Sequence, residues 1–336
     1  MPRLVRSAAL NSYIDVARAE GLDPYRMVFE AGLPPASLTD PEARVSVAAV
    51  SRLLEASAKQ SGKADFGLRL AERRSLSNLG ALALLVREQP TIRKALSALV
   101  EFMHLHSEAL RMRLQESGGL AVLSVAVELD RPAPIRQGVE LSLGFLHRSL
   151  QRLLGANWRP QAIRFAHAPP QRKAAHAAFF GTTIEFNQDY NGIVCLSRDL
   201  DAALPASEPA MARHIQTYIE MLASRPKASM AASVRECIDL TLPTGLCTAD
   251  YVAKRLGCDR RTIHRHLSKE RETFRSLLDA ARTELATRHA GNHDRQLTAI
   301  AELLGFSTHS AFSRWFRFRF GQSVTEWRAA ALSGSS

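Results

Sequence analysis

Two stretches near the C-terminal end carry cations and hydroxyls on one side of a helical pattern and apolar residues on the other. Arg260, Arg261, His264 and Arg265 point away from a stripe formed by Ile263 and Leu267. Further on, His309, Ser310, Ser313 and Arg314, followed a turn later by Arg317, point away from Phe312 and Phe316. Guanidinium groups fork onto guanine edges and phosphates, and imidazoles and hydroxyls reach other base edges. Such side chains on an exposed helix suit the reading of a duplex more than the breaking of bonds. Each stretch also has a cap at its start: Asp259 in the first, Ser307 or Thr308 in the second.

Other chemistries find less support. His104, His106, His147, His167 and His176 invite a metal. Residues i and i+2 of a helix face different ways, however, and no carboxylate or cysteine stands at ligand spacing from them, so no metal is expected. Cys195, Cys237, Cys247 and Cys258 form no C-x-x-C pair and read as reduced thiols. Only Cys195 lies in the N-terminal part, too little for a zinc-held nucleophile of the DNA-repair type. A Ser/His/Asp arrangement, a P-loop and a dinucleotide fingerprint are all missing, so neither an enzyme nor a cofactor is expected. Met27, Met103 and Met112 read as core, and Glu72-Arg73-Arg74 as a solvated helix end.

The elements that position the two cationic stretches form a near-repeat. Val252-Ala253 and Leu256-Gly257 recur 48 residues later as Ile300-Ala301 and Leu304-Gly305, whereas Ile263 and Leu267 recur after 49 as Phe312 and Phe316. A small residue lets two helices cross, and glycine takes the sharp turn between them. The offset change implies a turn one residue longer in the second copy. These are two helix-turn-helix patterns, about 246–268 and 296–318. Between them, Phe274 to Ala290 has helical apolar spacing and reads as a rigid strut, so that two recognition helices reach successive major grooves.

The 336 residues suggest two domains. Residues 1–100 read as helices, with a β-hairpin from Leu110 to Val127, a helix from Val139 to Leu154, and short strands at 162–166, 183–186 and 193–196 flanking a helix at 171–180. This predicts an α+β N-terminal domain with a small mixed or antiparallel sheet over 1–205. A Pro/Ala/Ser-rich linker with its own helix (Pro209 to Leu222) follows over 206–227, and an all-α domain over 228–336. The net charge of +11 favours a polyanionic partner. It does not localise the site by itself, since Lys/Arg outnumber Asp/Glu by 16 to 11 in residues 228–336 and by 28 to 22 before them. Density does, with seven Lys/Arg against Asp259 and Glu270 in residues 254–271. Neither an N-terminal signal pattern nor an 18-residue apolar run is present, and a cytoplasmic location without membrane contact is expected.

Gly305-Phe306-Ser307, Ala311-Phe312-Ser313-Arg314, Phe316-Arg317, Phe320-Gly321-Gln322-Ser323 and Glu326-Trp327-Arg328 resemble the C-terminal signature of the AraC/XylS transcription regulators. Val324 stands where that family usually carries proline. Ala31-Gly32-Leu33, Phe66-Gly67-Leu68-Arg69 and Phe179-Phe180-Gly181, with Ile184, Phe186, Asn191-Gly192 and Leu200, resemble the effector-type domain of OruR-like regulators rather than a cupin barrel. The resemblance implies sequence-specific binding of double-stranded promoter DNA. It also implies a homodimer, contact with RNA polymerase, and a small-molecule effector on the N-terminal domain. The alternative for that domain is a dimerisation or partner module without a ligand.

Overall fold

The structure is a computed structural model describing residues 3–130, 132–171, 173–204, 209–224, 229–245, 247–256, 258–290 and 296–333. Gly257, Gly291 and the linker stretches 205–208 and 225–228 lie outside the described residues. The chain divides into two compact units, Pro2–Pro226 and Lys227–Ser336.

The first unit mixes helices and two sheets. Strands β1 (Leu4–Arg6) and β2 (Arg44–Ser46) pair antiparallel, Val5 opposite Val45, and bracket helices α1 (Tyr13–Ala19) and α2 (Pro24–Glu30). This pair departs from the all-helical expectation for residues 1–100, because three residues are too few for an alternating pattern to register. Next come α3 (Val47–Ser61), α4 (Phe66–Glu72), α5 (Ala81–Arg87) and α6 (Ile92–Phe102), then the hairpin β3 (Leu110–Ser117) and β4 (Leu120–Val127). The long helix α7 (Arg136–Leu154), β5 (Ala162–Arg164), α8 (Ala174–Phe180), β6 (Ile184–Glu185), β7 (Asn191–Leu196) and α9 (Pro209–Ala223) complete the unit.

The larger sheet has the order β3-β4-β7-β5-β6, antiparallel throughout except for the parallel pair β5-β6, and is therefore mixed. Ala121, Leu123 and Val125 alternate along β4 and are buried in one core with Val139, Leu143, Leu146 and Leu150 of α7. Helix α4 crosses α7 at Gly67, where a Cβ would stand 2.3 Å from the Gln137 carbonyl oxygen, so only glycine fits. Helix α9, expected within a linker, buries Ile219 in this core and falls in the first unit.

Two polar expectations for this unit are corrected. Arg74 is 6% exposed, not solvated: it donates to the Ala8 carbonyl at 3.2 Å and lies 5.4 Å from the Phe145 ring, and burial lowers its pKa to about 10. The histidines, too, find a carboxylate. Glu140 of α7 is fully buried, with Arg136 Nε at 2.8 Å, His176 Nε2 at 3.0 Å and His167 Nε2 at 3.4 Å on one oxygen. Sequence distance hides such a cluster. Among the described residues no set of three or more His, Cys, Asp or Glu is placed to hold a metal. Met27, Met103 and Met112 are buried.

The second unit is helical: α10 (Met230–Thr241), α11 (Ala249–Arg255), α12 (Arg260–Lys269), α13 (Phe274–Ala290), α14 (Leu297–Leu303), α15 (His309–Phe320) and α16 (Val324–Ser333). It has two cores rather than one. Val234, Ile238, Val252, Ile263 and Leu267 anchor the first; Ile300, Leu304, Phe312, Phe316 and Val324 anchor the second. Helix α13 serves both, with Ala281 in the first core and Ala286 and Ala290 in the second, while Leu285 packs against each. Among the described residues no helix is long and apolar enough to cross a membrane.

Candidate nucleic-acid interface

Helices α11 and α12 form one helix-turn-helix, α14 and α15 the other. Thr248 caps α11 by accepting the Tyr251 N–H at 3.1 Å, and Asp259 caps α12 by accepting the Thr262 N–H at 2.7 Å. In the second unit Thr308, rather than Ser307, is the cap, accepting the Ala311 N–H at 3.2 Å. Helices α11 and α14 begin 48 residues apart and α12 and α15 begin 49 apart, so the added residue falls in the turn. Ala253 and Ala301 are buried where their helices cross.

Arg260, Arg261, His264 and Arg265 are exposed on α12; His309, Ser310, Arg314 and Arg317 are exposed on α15, and Ser313 is half-buried. The nine residues thus fall into two sets, one per helix. Among the described residues no ion pair joins a carboxylate to Arg260, Arg261, Arg265 or Arg314, and Arg317 feels Glu326 only at longer range, whereas Arg235 and Arg288 elsewhere in the unit each pair with Glu284. Unpaired surface guanidinium groups are ready to bind phosphate or guanine without first breaking an internal ion pair. The pKa of His266 is lowered, by burial first and with neighbouring Arg265 and Lys269 adding to it.

Several positioning residues went unnoticed in the sequence. Arg282 of α13 donates to the carbonyls of Leu304 at 3.0 Å and Gly305 at 3.1 Å, and its guanidinium lies 4.1 Å from the Phe306 ring centroid. It ties the turn of the second unit to the strut, and its burial lowers its pKa. Gly305 itself has φ +65°, and a Cβ there would meet Leu242 Cδ1 at 2.8 Å. Glu270 holds the start of α10, accepting the N–H groups of Met230 at 2.9 Å and Ala231 at 2.8 Å. Burial would raise its carboxyl, but these backbone donors bring it below the ordinary range. Lys269, exposed at the end of α12, was also overlooked; the 49-residue offset is the signal that finds it. Burial pushes the Cys237 and Cys258 thiols up to about 11, so both stay protonated at neutral pH.

Two capped helix-turn-helix units on one strut, each offering arginines to solvent, define a DNA-binding transcription regulator. Residues 252–330 match the family described as a helix-turn-helix domain. Residues 21–204 match the one described as the arabinose-binding domain of AraC transcription regulator, N-terminal part. The chain belongs to the AraC family of transcription regulators. It is 30% identical to the HTH-type transcriptional regulator VirS of Mycobacterium tuberculosis over 97% of this chain and 96% of that one. It is 25% identical to the ornithine utilization regulator of Pseudomonas aeruginosa over 97% of each. The crystal structure of the transcriptional regulator CdpR from Pseudomonas aeruginosa aligns with a TM-score of 0.46 at 19% identity, covering 96% of both chains.

Proposed function

We propose that this chain is a cytoplasmic, non-enzymatic, effector-responsive regulator. Residues 228–336 bind promoter DNA, and the first unit, α9 included, joins two copies and takes a small-molecule effector. Each subunit presents α12 and α15 to successive major grooves of a half-site, and RNA polymerase is the further partner. Arg260, Arg261, His264, Arg265, His309, Ser310, Ser313, Arg314 and Arg317 are the contact residues. The observation that carries this reading is the pair of capped helices held on α13, with Arg260, Arg261, Arg265 and Arg314 exposed and in no ion pair among the described residues. Support for an effector comes from residues 21–204, which match a family described as an arabinose-binding domain.

The test is a binding titration of the full chain on an operator selected from random duplexes. Arg265→Ala and Arg314→Ala should each cost about 1–3 kcal/mol if they contact bases, or lower the salt slope by about one if they contact phosphate. Unchanged binding in both excludes this placement of the recognition helices. Amino acids, polyamines and fatty acids added to the same titration test the effector: one of them should shift operator affinity and thermal stability together. If none does, the effector reading fails and a ligand-free dimerisation module takes its place.

A further inference from the structure

Phe318 is 91% exposed, the most exposed large hydrophobic side chain among the described residues. A lone apolar side chain on a surface is ordinary; this one's position is not. With about 100° between successive helical residues, Ser310, Arg314, Arg317 and Phe318 fall on the side of α15 opposite the buried Phe312 and Phe316. The 49-residue offset superposes those four on Arg261, Arg265, Ser268 and Lys269 of α12, all of them exposed. The two outward faces therefore share one plan, with the last position a lysine in the first unit and a phenylalanine in the second.

The surroundings of Phe318 indicate what covers it. Arg314, Arg317 and Arg319 lie within four residues, and no acidic residue occurs between 303 and 325. Such a field draws a polyanion. Duplex DNA has apolar surfaces within that reach, the thymine methyl groups and the faces of the deoxyribose rings. Residue 318 sits in the third turn of α15, past the two turns that read bases at the centre of a site.

We propose that Phe318 is an apolar DNA contact at the flank of the second recognition site, packing on a thymine methyl or a deoxyribose where Lys269 in the first helix-turn-helix meets a phosphate. This rests on the reading that α12 and α15 face the major groove. Because the contact neutralises no phosphate, it adds affinity without adding salt dependence, unlike its lysine counterpart.

The test uses the full-length chain and its selected operator, with binding followed by fluorescence anisotropy over a range of salt concentrations. Phe318→Ala should weaken binding about 5- to 100-fold at an unchanged salt slope and an unchanged melting temperature. Lys269→Ala should instead flatten the slope by about one. Replacing flanking thymines by deoxyuridine separates the two surfaces: a loss seen in the wild type but not in Phe318→Ala assigns the methyl group, and no loss in either assigns the sugar. The proposal is overturned if Phe318→Ala binds like the wild type while Arg265→Ala and Arg314→Ala are weakened. Loss of transcription in that variant at full DNA affinity would assign the ring to a protein partner instead. If the arginine variants also bind normally, what fails is the placement of the recognition helices.

Discussion

The core around α12 is built from aliphatic side chains, Val234, Ile238, Val252, Ile263 and Leu267, whereas the core around α15 is aromatic. There Phe316 lies 4.4 Å from Phe320 and 5.8 Å from Phe312, with Trp327 5.0 Å from Phe320 and Trp315 5.4 Å from Phe306. The outward faces differ in the complementary sense. Helix α12 carries Arg260, Arg261, Arg265 and Lys269, while α15 sets His309, Ser310 and Ser313 among fewer cations. One backbone plan thus supports two divisions of labour. A strongly cationic helix suits phosphate attraction and a flexible approach. A helix locked by tilted and edge-to-face rings suits the fixed geometry that hydroxyl and imidazole contacts require.

The largest effect expected from this contrast is in stability. Phe316→Ala should cost about 3–5 kcal/mol and Leu267→Ala about 2–5 kcal/mol, read by urea unfolding of the full chain. Because the cores are separate, hydrogen exchange should show each substitution loosening its own unit first. Equal loosening of both units by either variant would mean that α13 merges the two cores into one cooperative body.

A pH effect separates the pair from the rest of the chain. His264 and His309 are exposed, but in the first unit His106 and His147 are buried, and burial, reinforced by nearby arginines, lowers them to about 3 and about 4 from 6.5. The folded chain therefore refuses protons that the unfolded chain accepts. The stabilisation is complete above pH 6.5 and is lost as the pH falls from there towards 4 and 3, at about 1.4 kcal/mol per pH unit for each histidine. Hydrogen exchange at pH 7 and pH 5 should show the loss in the first unit, and a His147→Phe variant should reduce it. An unchanged response in that variant would remove His147 from the account.

Periodicity carried much of this architecture. Helix α13 spans the stretch whose apolar spacing marked a strut, and the hairpin β3-β4 follows its alternation on both sides of Gly118-Gly119. The functional frame was readable because capping and helix crossing are local, fixed by Asp259, Thr308, Ala253 and Ala301 within a few residues of the faces they orient. What escaped was non-local. Strands β1 and β2 are 38 residues apart at their nearest ends and too short to show a period. Arg74 looks solvated until Ala8 and Phe145 fold over it, and Glu140 meets His176 only because α8 returns to α7. Arg282 gave no signal either, since its hydrogen-bond partners are carbonyls of the turn between α14 and α15, which any residue type supplies.

Helix α13 has a consequence for how such a protein changes its target. Its 17 residues rise about 25 Å, and its alanines are keyed into a different core at each end. One residue inserted at its middle would turn the second recognition helix about 100° around the strut while advancing it only about 1.5 Å. The strut therefore behaves as an indexed shaft rather than an adjustable spacer. The separation and phase of α12 and α15 cannot drift by small insertions, and only their outward side chains can change without moving the frame.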